Sequence, residues 1–281
     1  MVKIMINACI VCVCYNTYSE LLDYLLSIEN SLSLSPNLKL KILICDNSSI
    51  IDNQIILKLQ KSKLSISYFK NLNIGYFPSV ELIMKNFCID TTKFDYIIIS
   101  NTDIVLDQNF FLELTKNKKN KKIGALAPQI FSIKSKIFLN PSRIKRPSKI
   151  YLTILKNIFK NQLLYNIFIL LHLAKKCLIK KFPQNNVFDE IHFKNIYSAH
   201  GSIIIFTKQF FIQGGLINYP RFLFGEEIFV AEEIRKISLL ISYTPNIKVY
   251  DKEHASTSSV KRKLLLLEQV KSLNYLIQKY F

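Results

Sequence analysis

The sequence predicts an α/β protein built on a mainly parallel sheet flanked by helices. Three observations lead there. Strand-like runs alternate with segments of helical period. The runs are apolar at every position rather than every second one, the mark of strands buried on both faces. A chain of 281 residues that is 49% hydrophobic has enough apolar material to cover such a sheet on both sides.

In chain order, "ACIVCVC" (8–14) is the first run, and "YSELLDYLLSIENSL" (18–32) follows it with a helical pattern. "LKILIC" (40–45) and "LSISYF" (64–69) read as the second and third strands. "SVELIMKNFC" (79–88) is helical, with Ser79 as its N-cap, and "YIIIS" (96–100) is the fourth strand. After "GALAPQIF" (124–131) the alternation gives way to a basic, proline-punctuated stretch that includes "KRPSKIYLTILKN" (145–157). Strand character resumes at "NIYSAHGSIIIF" (195–206), followed by "RFLFGEEIFVAEEIRK" (221–236) and a closing helix from about 258 to 280. No internal repeat interrupts this order.

The net charge of +18 suggests nucleic acid until it is located. Residues 114–188 carry 17 Lys or Arg and no acid, while the remainder carries 21 bases against 20 acids. The charge therefore belongs to one segment. Six cysteines (Cys9, Cys12, Cys14, Cys45, Cys88, Cys177) fall mostly in apolar runs without zinc-site spacing, and are expected to be buried free thiols in a reducing compartment. The apolar N-terminus reads as a first strand rather than a signal peptide, because no A-x-A site follows it.

Two ways of holding a nucleotide are excluded by motif. The turn after the first strand is "YNTYSE", not G-x-G-x-x-G, and no G-K-[ST] loop occurs in a chain with only six glycines. A divalent metal held by carboxylates is the other common way to neutralise a diphosphate. That directs attention to the strand ends. Tyr15, Asn16 and Thr17 follow the first strand, Asp46 to Ser49 the second, and Asn101, Thr102 and Asp103 the fourth. A single Asp or Asn there is a cap or turn residue. Three such ends at one edge of a parallel sheet are a ligand site.

The ordered motifs "CYNTYSELL", "ILICDNSS", "NLNIGYF", "YIIISNTD" and "FLFGEEIFVAEEIR" resemble the family 2 glycosyltransferases of GT-A fold, of the bacterial surface-polysaccharide, rhamnosyltransferase-like type. The resemblance covers roughly 8–130 and 195–257. It implies a single domain over 1–281 with a nucleotide-sugar-binding half (1–130) and an acceptor and catalytic half (195–257); the residues it leaves uncovered read as a basic amphipathic helical insertion (131–194) and a C-terminal helix (258–281). It further implies that Tyr15, Asn16 and Thr17 line the nucleotide pocket, that Asp46 meets the base, and that Asn73 and Gly75 lie beside the sugar nucleotide. Asp103 takes the last position of the family's D-x-D motif and would meet Mg2+ or Mn2+ on the diphosphate, with Asn101 in place of the first Asp. His200, Gly201 and Ser202 would lie by the acceptor. Either His254 or Asp251 would approach the metal, with His254 preferred.

Glu226 and Glu227 stand where the family has its acidic pair. An inverting transfer needs a base for the acceptor hydroxyl, and adjacent negative charge with partial burial raises one carboxyl's pKa toward that task. Glu227 matches the usual base position, with Glu226 as the alternative. Glutamates at a helix start also complement its dipole without any catalytic role.

The basic segment lies outside the resemblance. Residues 150–182 are helix-like and apolar, with lysines at 156, 160, 175, 176, 180 and 181. The longest uncharged run, 161–174, is 14 residues, short of the ~20 needed to cross a bilayer. A basic apolar helix without acids suits the surface of an anionic cytoplasmic leaflet. The expectation is an inverting transferase at the inner face of the plasma membrane, moving a UDP- or dTDP-linked sugar to a lipid-linked glycan, without nucleic acid. A soluble or protein acceptor is the alternative within the fold. A nucleic-acid-binding α/β protein, favoured by charge alone, is the alternative of another class.

Overall fold

A computed structural model describes residues 5–117, 120–181 (172–181 as backbone only), 195–253 and 262–281. One nine-stranded sheet organises them, in the order β3-β2-β1-β4-β8-β6-β9-β5, with β7 paired to β9. Its first half is the parallel sheet read from the sequence: β1 (Ile6–Cys14) lies between β2 (Leu38–Asp46) and β4 (Tyr96–Asn101), and β3 (Ile66–Lys70) extends the edge. The second half is mixed. β8 (Ile203–Thr207) runs antiparallel to both β4 and β6 (Ile123–Ser132), while β6 and β9 (Leu240–Asp251) are parallel.

The continuous apolar runs are explained by burial on both faces. Along β1, Ala8, Ile10, Cys12 and Cys14 belong to one core cluster, and Cys9 and Val11 to the other. Each fully buried Ile or Val contributes about 1.5–3 kcal/mol, so the run stabilises both layers at once. On one face, α1 (Tyr18–Ser33), α2 (Asn53–Gln60) and α4 (Phe110–Lys116) supply Tyr24, Ile55 and Phe110. On the other, α3 (Tyr76–Asn86), α8 (Glu226–Lys236) and α9 (Arg262–Tyr280) supply Phe77, Phe229 and Leu276.

Several expectations change in detail. Ser79 is not the N-cap of α3. Gly75 is, and the buried Ser79 hydroxyl donates to the Gly75 carbonyl from inside the first turn. Residues 195–206 form two strands, β7 (Asn195–Ile196) and β8, separated by a turn. Cys9, Cys12, Cys14 and Cys45 are buried free thiols, but Cys88 is exposed just past the end of α3.

The connection from β4 to β5 (Ile104–Leu106) is two residues long, yet these strands sit far apart in the strand order. The sheet must therefore curl until its far edge returns beside the end of β4. Thr102 and Asp103 lie at that closure. β5 pairs antiparallel with β9, setting Ile104 opposite Asp251, and the Lys252 amide donates to the Asp103 carbonyl at 3.0 Å.

The basic insertion is helical in its described part. α5 (Lys149–Lys160) starts at Ser148, whose side chain accepts from the Tyr151 amide, and packs on α9 with Leu152 fully buried. α6 (Gln162–Lys181) follows, and α7 (Lys208–Ile212) succeeds β8. Among the described residues no helix is long and apolar enough to cross a membrane.

Candidate active site

Strand register assembles the site. Cys14 pairs with Asp46 across β1–β2, and Val13 with Asn101 across β1–β4, so three polar strand ends form one row. Hydrogen bonds tie that row together. The Asn16 amide donates to Ser48 Oγ at 2.8 Å, the Ser49 amide donates to Asn16 Oδ1 at 3.1 Å, and the Thr17 and Thr102 hydroxyls pair at 2.8 Å.

Above the row is a cavity of about 380 Å³. Of the residues singled out from the sequence, Tyr15, Thr17, Asn73, Gly75, Asn101, Asp103 and Glu226 line it. The fold adds Tyr76, the aromatic loop Phe222–Leu223–Phe224 and Leu264 of α9. A larger groove of about 700 Å³ lies at the opposite, amino-terminal edge of β4, beside Asp95 and Lys122. It holds none of these residues, and open α/β sheets bind ligands at the carboxyl edge.

Gly75 is required where it stands. Its φ of 103° and ψ of 175° are a glycine conformation, and a Cβ there would lie 2.4 Å from the Phe222 carbonyl oxygen. That close approach fixes the aromatic loop over the cavity. Gly225, the αL N-cap of α8, is equally confined: a Cβ would meet Ser272 Oγ at 2.2 Å. Ser272 and Tyr219 both donate to the Phe224 carbonyl, at 2.8 and 2.7 Å, so α9 holds the start of α8.

Asp46 sits within the strand-end network and is not in the cavity wall. It has no exposed surface, and its carboxylate already accepts from Tyr18 at 2.7 Å, Tyr68 at 2.5 Å and the Ser48 amide at 2.9 Å. Burial alone would raise its pKa, but the hydrogen bonds from Ser48, Tyr18 and Tyr68 outweigh it and hold the carboxyl below the usual range. The carboxylate thereby holds the hydroxyls of Tyr18 and Tyr68 at one oxygen and the Ser48 amide at the other. Asn16 likewise serves the strand-end network and is not in the cavity wall.

The acidic pair divides. Glu226 lines the cavity, and its pKa is pushed up to about 7, first by burial and then by the charge of Glu227, against the lowering effect of its own backbone amide. Glu227 turns away: one oxygen accepts from the Gly201 amide at 2.9 Å, the other from Ser142 at 2.6 Å. Neighbouring residues on a helix point about 100° apart, so only one of them faces the opening.

His200 and Ser202 join Gly201 in a turn behind that carboxylate. The Ser202 amide donates to His200 Nδ1 at 3.3 Å, the His200 amide donates to Asn140 Oδ1 at 2.7 Å, and none of the three lines the cavity. Ser202 reaches the site through its carbonyl, which accepts from the Asn101 amide at 2.9 Å.

The next two acids of α8 are structural. Buried Glu232 takes a bidentate pair from Arg146 at 2.7 and 3.1 Å, and buried Glu233 accepts from Tyr280 at 2.6 Å. They fasten the insertion and the C-terminus to α8.

For a divalent metal, the described donors are the Asp103 carboxylate and the Asn101 amide oxygen in one cavity wall. Among the described residues no three His, Cys, Asp or Glu side chains cluster into a metal site. Two protein oxygens suit an ion that takes its other ligands from phosphate and water, as Mg2+ commonly does. Asp251 is buried, is absent from the cavity wall, and accepts from the Glu253 amide at 2.8 Å. His254 lies outside the described residues.

No protein-family model matches the chain, and no curated protein sequence does. Its fold does match solved structures. GalNAc-T7 with UDP, GalNAc and Mn2+ aligns at TM-score 0.55 and 13% identity over 94% of this chain and 48% of that one. S. aureus TarS 1-349 with UDP-GlcNAc aligns at 0.57 and 11% over 96% and 66%. The mannosyltransferase PcManGT from Pyrobaculum calidifontis, with GDP-Man and Mn2+, aligns at 0.54 and 10% over 95% and 64%. The chain thus spans about half the length of the first and about two thirds of the other two. At these identities the likeness is one of fold: a mixed α/β fold with a curled sheet, the GT-A glycosyltransferase architecture.

Proposed function

We propose that this chain is a nucleotide-sugar-dependent glycosyltransferase whose donor occupies the strand-end cavity. The observation that carries the reading is convergence. Asn101 and Asp103 at the curl of the sheet, and Glu226 at the start of α8, come from distant parts of the sequence to one cavity wall. Solved proteins of the same fold hold UDP-GlcNAc, or GDP-Man with Mn2+.

In the proposed reaction the acceptor hydroxyl oxygen attacks the anomeric carbon as Glu226 takes its proton. The bond from that carbon to the diphosphate breaks on the opposite side, its electron pair leaving on the phosphate oxygen, so configuration inverts. Asp103 and Asn101 would hold a divalent cation at the diphosphate end. A bound Mg2+ or Mn2+ would there neutralise the leaving charge. Glu226 is suited to the base role because it opens to the cavity and titrates near 7, close to the operating pH. The position matching the family's base, Glu227, has both oxygens engaged and orients the turn of His200, Gly201 and Ser202.

A lipid-linked acceptor at an anionic membrane is supported by the insertion. On α5 and α6, Ile150, Ile154, Leu163, Leu170 and Leu171 are more than half exposed, and lysines 149, 156 and 160 lie among them. Aliphatic side chains with unopposed cationic ones suit an acyl and phosphate interface. The test is transfer from a panel of UDP-, dTDP- and GDP-hexoses to a polyprenyl-diphosphate glycan in anionic vesicles, with the anomeric configuration of the product read by NMR. Product of inverted configuration, lost in Glu226→Gln, is expected. Retained configuration overturns the mechanism, and absence of any transfer overturns the acceptor class.

A further inference from the structure

β6 does not end in a polar turn. It runs on into a tight hairpin, in which Phe131 bridges Phe138 and their rings meet edge-on at 5.5 Å. Ser132 builds the tip. Its amide donates to the Ile137 carbonyl at 2.9 Å, its carbonyl accepts from the Lys136 amide at 2.9 Å, and its hydroxyl accepts from the Ser135 amide at 2.8 Å. Every residue from 133 to 138 is exposed, and three of them are large and apolar: Ile133, Ile137 and Phe138, at 41, 54 and 39%. Turn tips are ordinarily polar, and a contiguous apolar patch on a surface marks a contact. Lys134 and Lys136 are interleaved with it. Arg143, Ile144 and Lys145 repeat the combination toward α5, where Arg143 stacks on Tyr151 at 5.5 Å. These four cations outnumber the carboxylate that the hairpin bonds, Glu253, which accepts from Ser135.

The root of the hairpin belongs to the candidate active site. The Ile133 amide donates to the Asp251 carbonyl at 2.8 Å, one residue before the Lys252 amide that holds Asp103. On the returning segment, Asn140 accepts from the His200 amide and Ser142 donates to Glu227. We propose that this hairpin enters the interface of an anionic bilayer, as a membrane contact separate from α5 and α6, and so sets the cavity at the membrane surface. The inference rests on the reading of the acceptor as lipid-linked at an anionic membrane. Two isoleucines and a phenylalanine among lysines fit the boundary between acyl chains and anionic headgroups. A second copy of the chain fits less well, because a two-fold contact would set these cations against themselves. Both sides of the hairpin are hydrogen-bonded to the site, so the depth of the tip fixes the height of Asp103 and Glu227 above the bilayer.

The chain contains no tryptophan, so one introduced at position 137 reports on the hairpin alone. Ile137→Trp and, separately, Leu170→Trp on α6 are mixed with phosphatidylglycerol–phosphatidylcholine vesicles, with and without brominated acyl chains. Indole emission should shift to the blue and be quenched by bromine in both proteins. Quenching at 170 without quenching at 137 overturns the proposal and leaves the membrane reading of α6 standing. Quenching at 137 alone upholds the hairpin and overturns that reading of α6. Failure of both proteins to bind the vesicles overturns the two together. Tryptophan itself favours interfaces, so a second variant adds none. Ile133→Ser combined with Ile137→Ser removes only exposed side chains and should leave the melting temperature unchanged. Its partition onto the same vesicles should be about tenfold weaker than that of the wild type, at high salt as at low, because the lost contacts are apolar. Equal partition of the two proteins overturns the proposal.

Discussion

Replacing Glu226 by Gln should make the protein more stable and less active at the same time. The stability gain follows from burial. An ordinary glutamate titrates near 4.5, whereas Glu226 in the folded protein is pushed up to about 7. Between those values the folded state binds more protons than the unfolded one, so stability falls as pH rises through that window. The cost is small below pH 4.5 and fully present above pH 7. It amounts to about 1 kcal/mol at pH 5 and about 3 kcal/mol at pH 8. A neutral Gln of the same shape avoids it. Urea denaturation of both proteins at pH 5 and pH 8 should therefore show an advantage for the variant that grows by about 2 kcal/mol between them. Turnover should meanwhile fall by about 10²-fold or more, the contribution of a positioned base. In the wild type, turnover should rise with pH through about 7 as the base ionises. A variant whose advantage is the same at both pH values would refute the burial argument. A variant that turns over normally would refute the assignment of the base.

The other expectations follow from single observations. Glu227→Gln removes a charge that helps raise the Glu226 carboxyl, so the rising limb of the pH–rate profile should move to lower pH; an unmoved limb separates the two groups. Gly75→Ala places a Cβ 2.4 Å from the Phe222 carbonyl in a glycine-only conformation, and should cost at least about 2 kcal/mol by urea denaturation. Charge reversal of lysines 149, 156 and 160 to Glu should weaken partition onto anionic vesicles by at least about 100-fold at low salt, counting about 1 kcal/mol per lysine. Wild-type binding should weaken with salt without vanishing, because the exposed apolar residues of α5 and α6 are unscreened. Protein that fails to float with vesicles at low salt would refute the membrane reading.

The parallel half of the fold was legible because burial on both faces writes itself as unbroken apolar runs, as in Ile97–Ile98–Ile99. The closing half was not. β9 carries Pro245 and alternating polar residues, and its pairing with β6 shifts register between Pro128 and Gln129. Such a strand has a weak local signature, and only tertiary closure brings it beside β5. The site shows the same division. Asp103 was readable because it ends a run that any parallel sheet would deliver to that edge. The hydrogen bonding of Asp46 was not, since Tyr68 comes from a different strand 22 residues on. Which member of Glu226–Glu227 opens to the cavity depends on the roll of α8, set by Gly225 against Ser272 and Leu276 of α9.

The central claim is that the strand-end cavity holds a nucleotide sugar through Asp103. Calorimetric titration of UDP-, dTDP- and GDP-hexoses into the wild type and Asp103→Ala, in Mn2+ and then in excess EDTA, tests it most directly. The account requires saturable binding of at least one of these donors in Mn2+, lost or weakened about tenfold or more in the variant and in EDTA. Undiminished binding to Asp103→Ala, or no binding of any of them to the wild type, would contradict it.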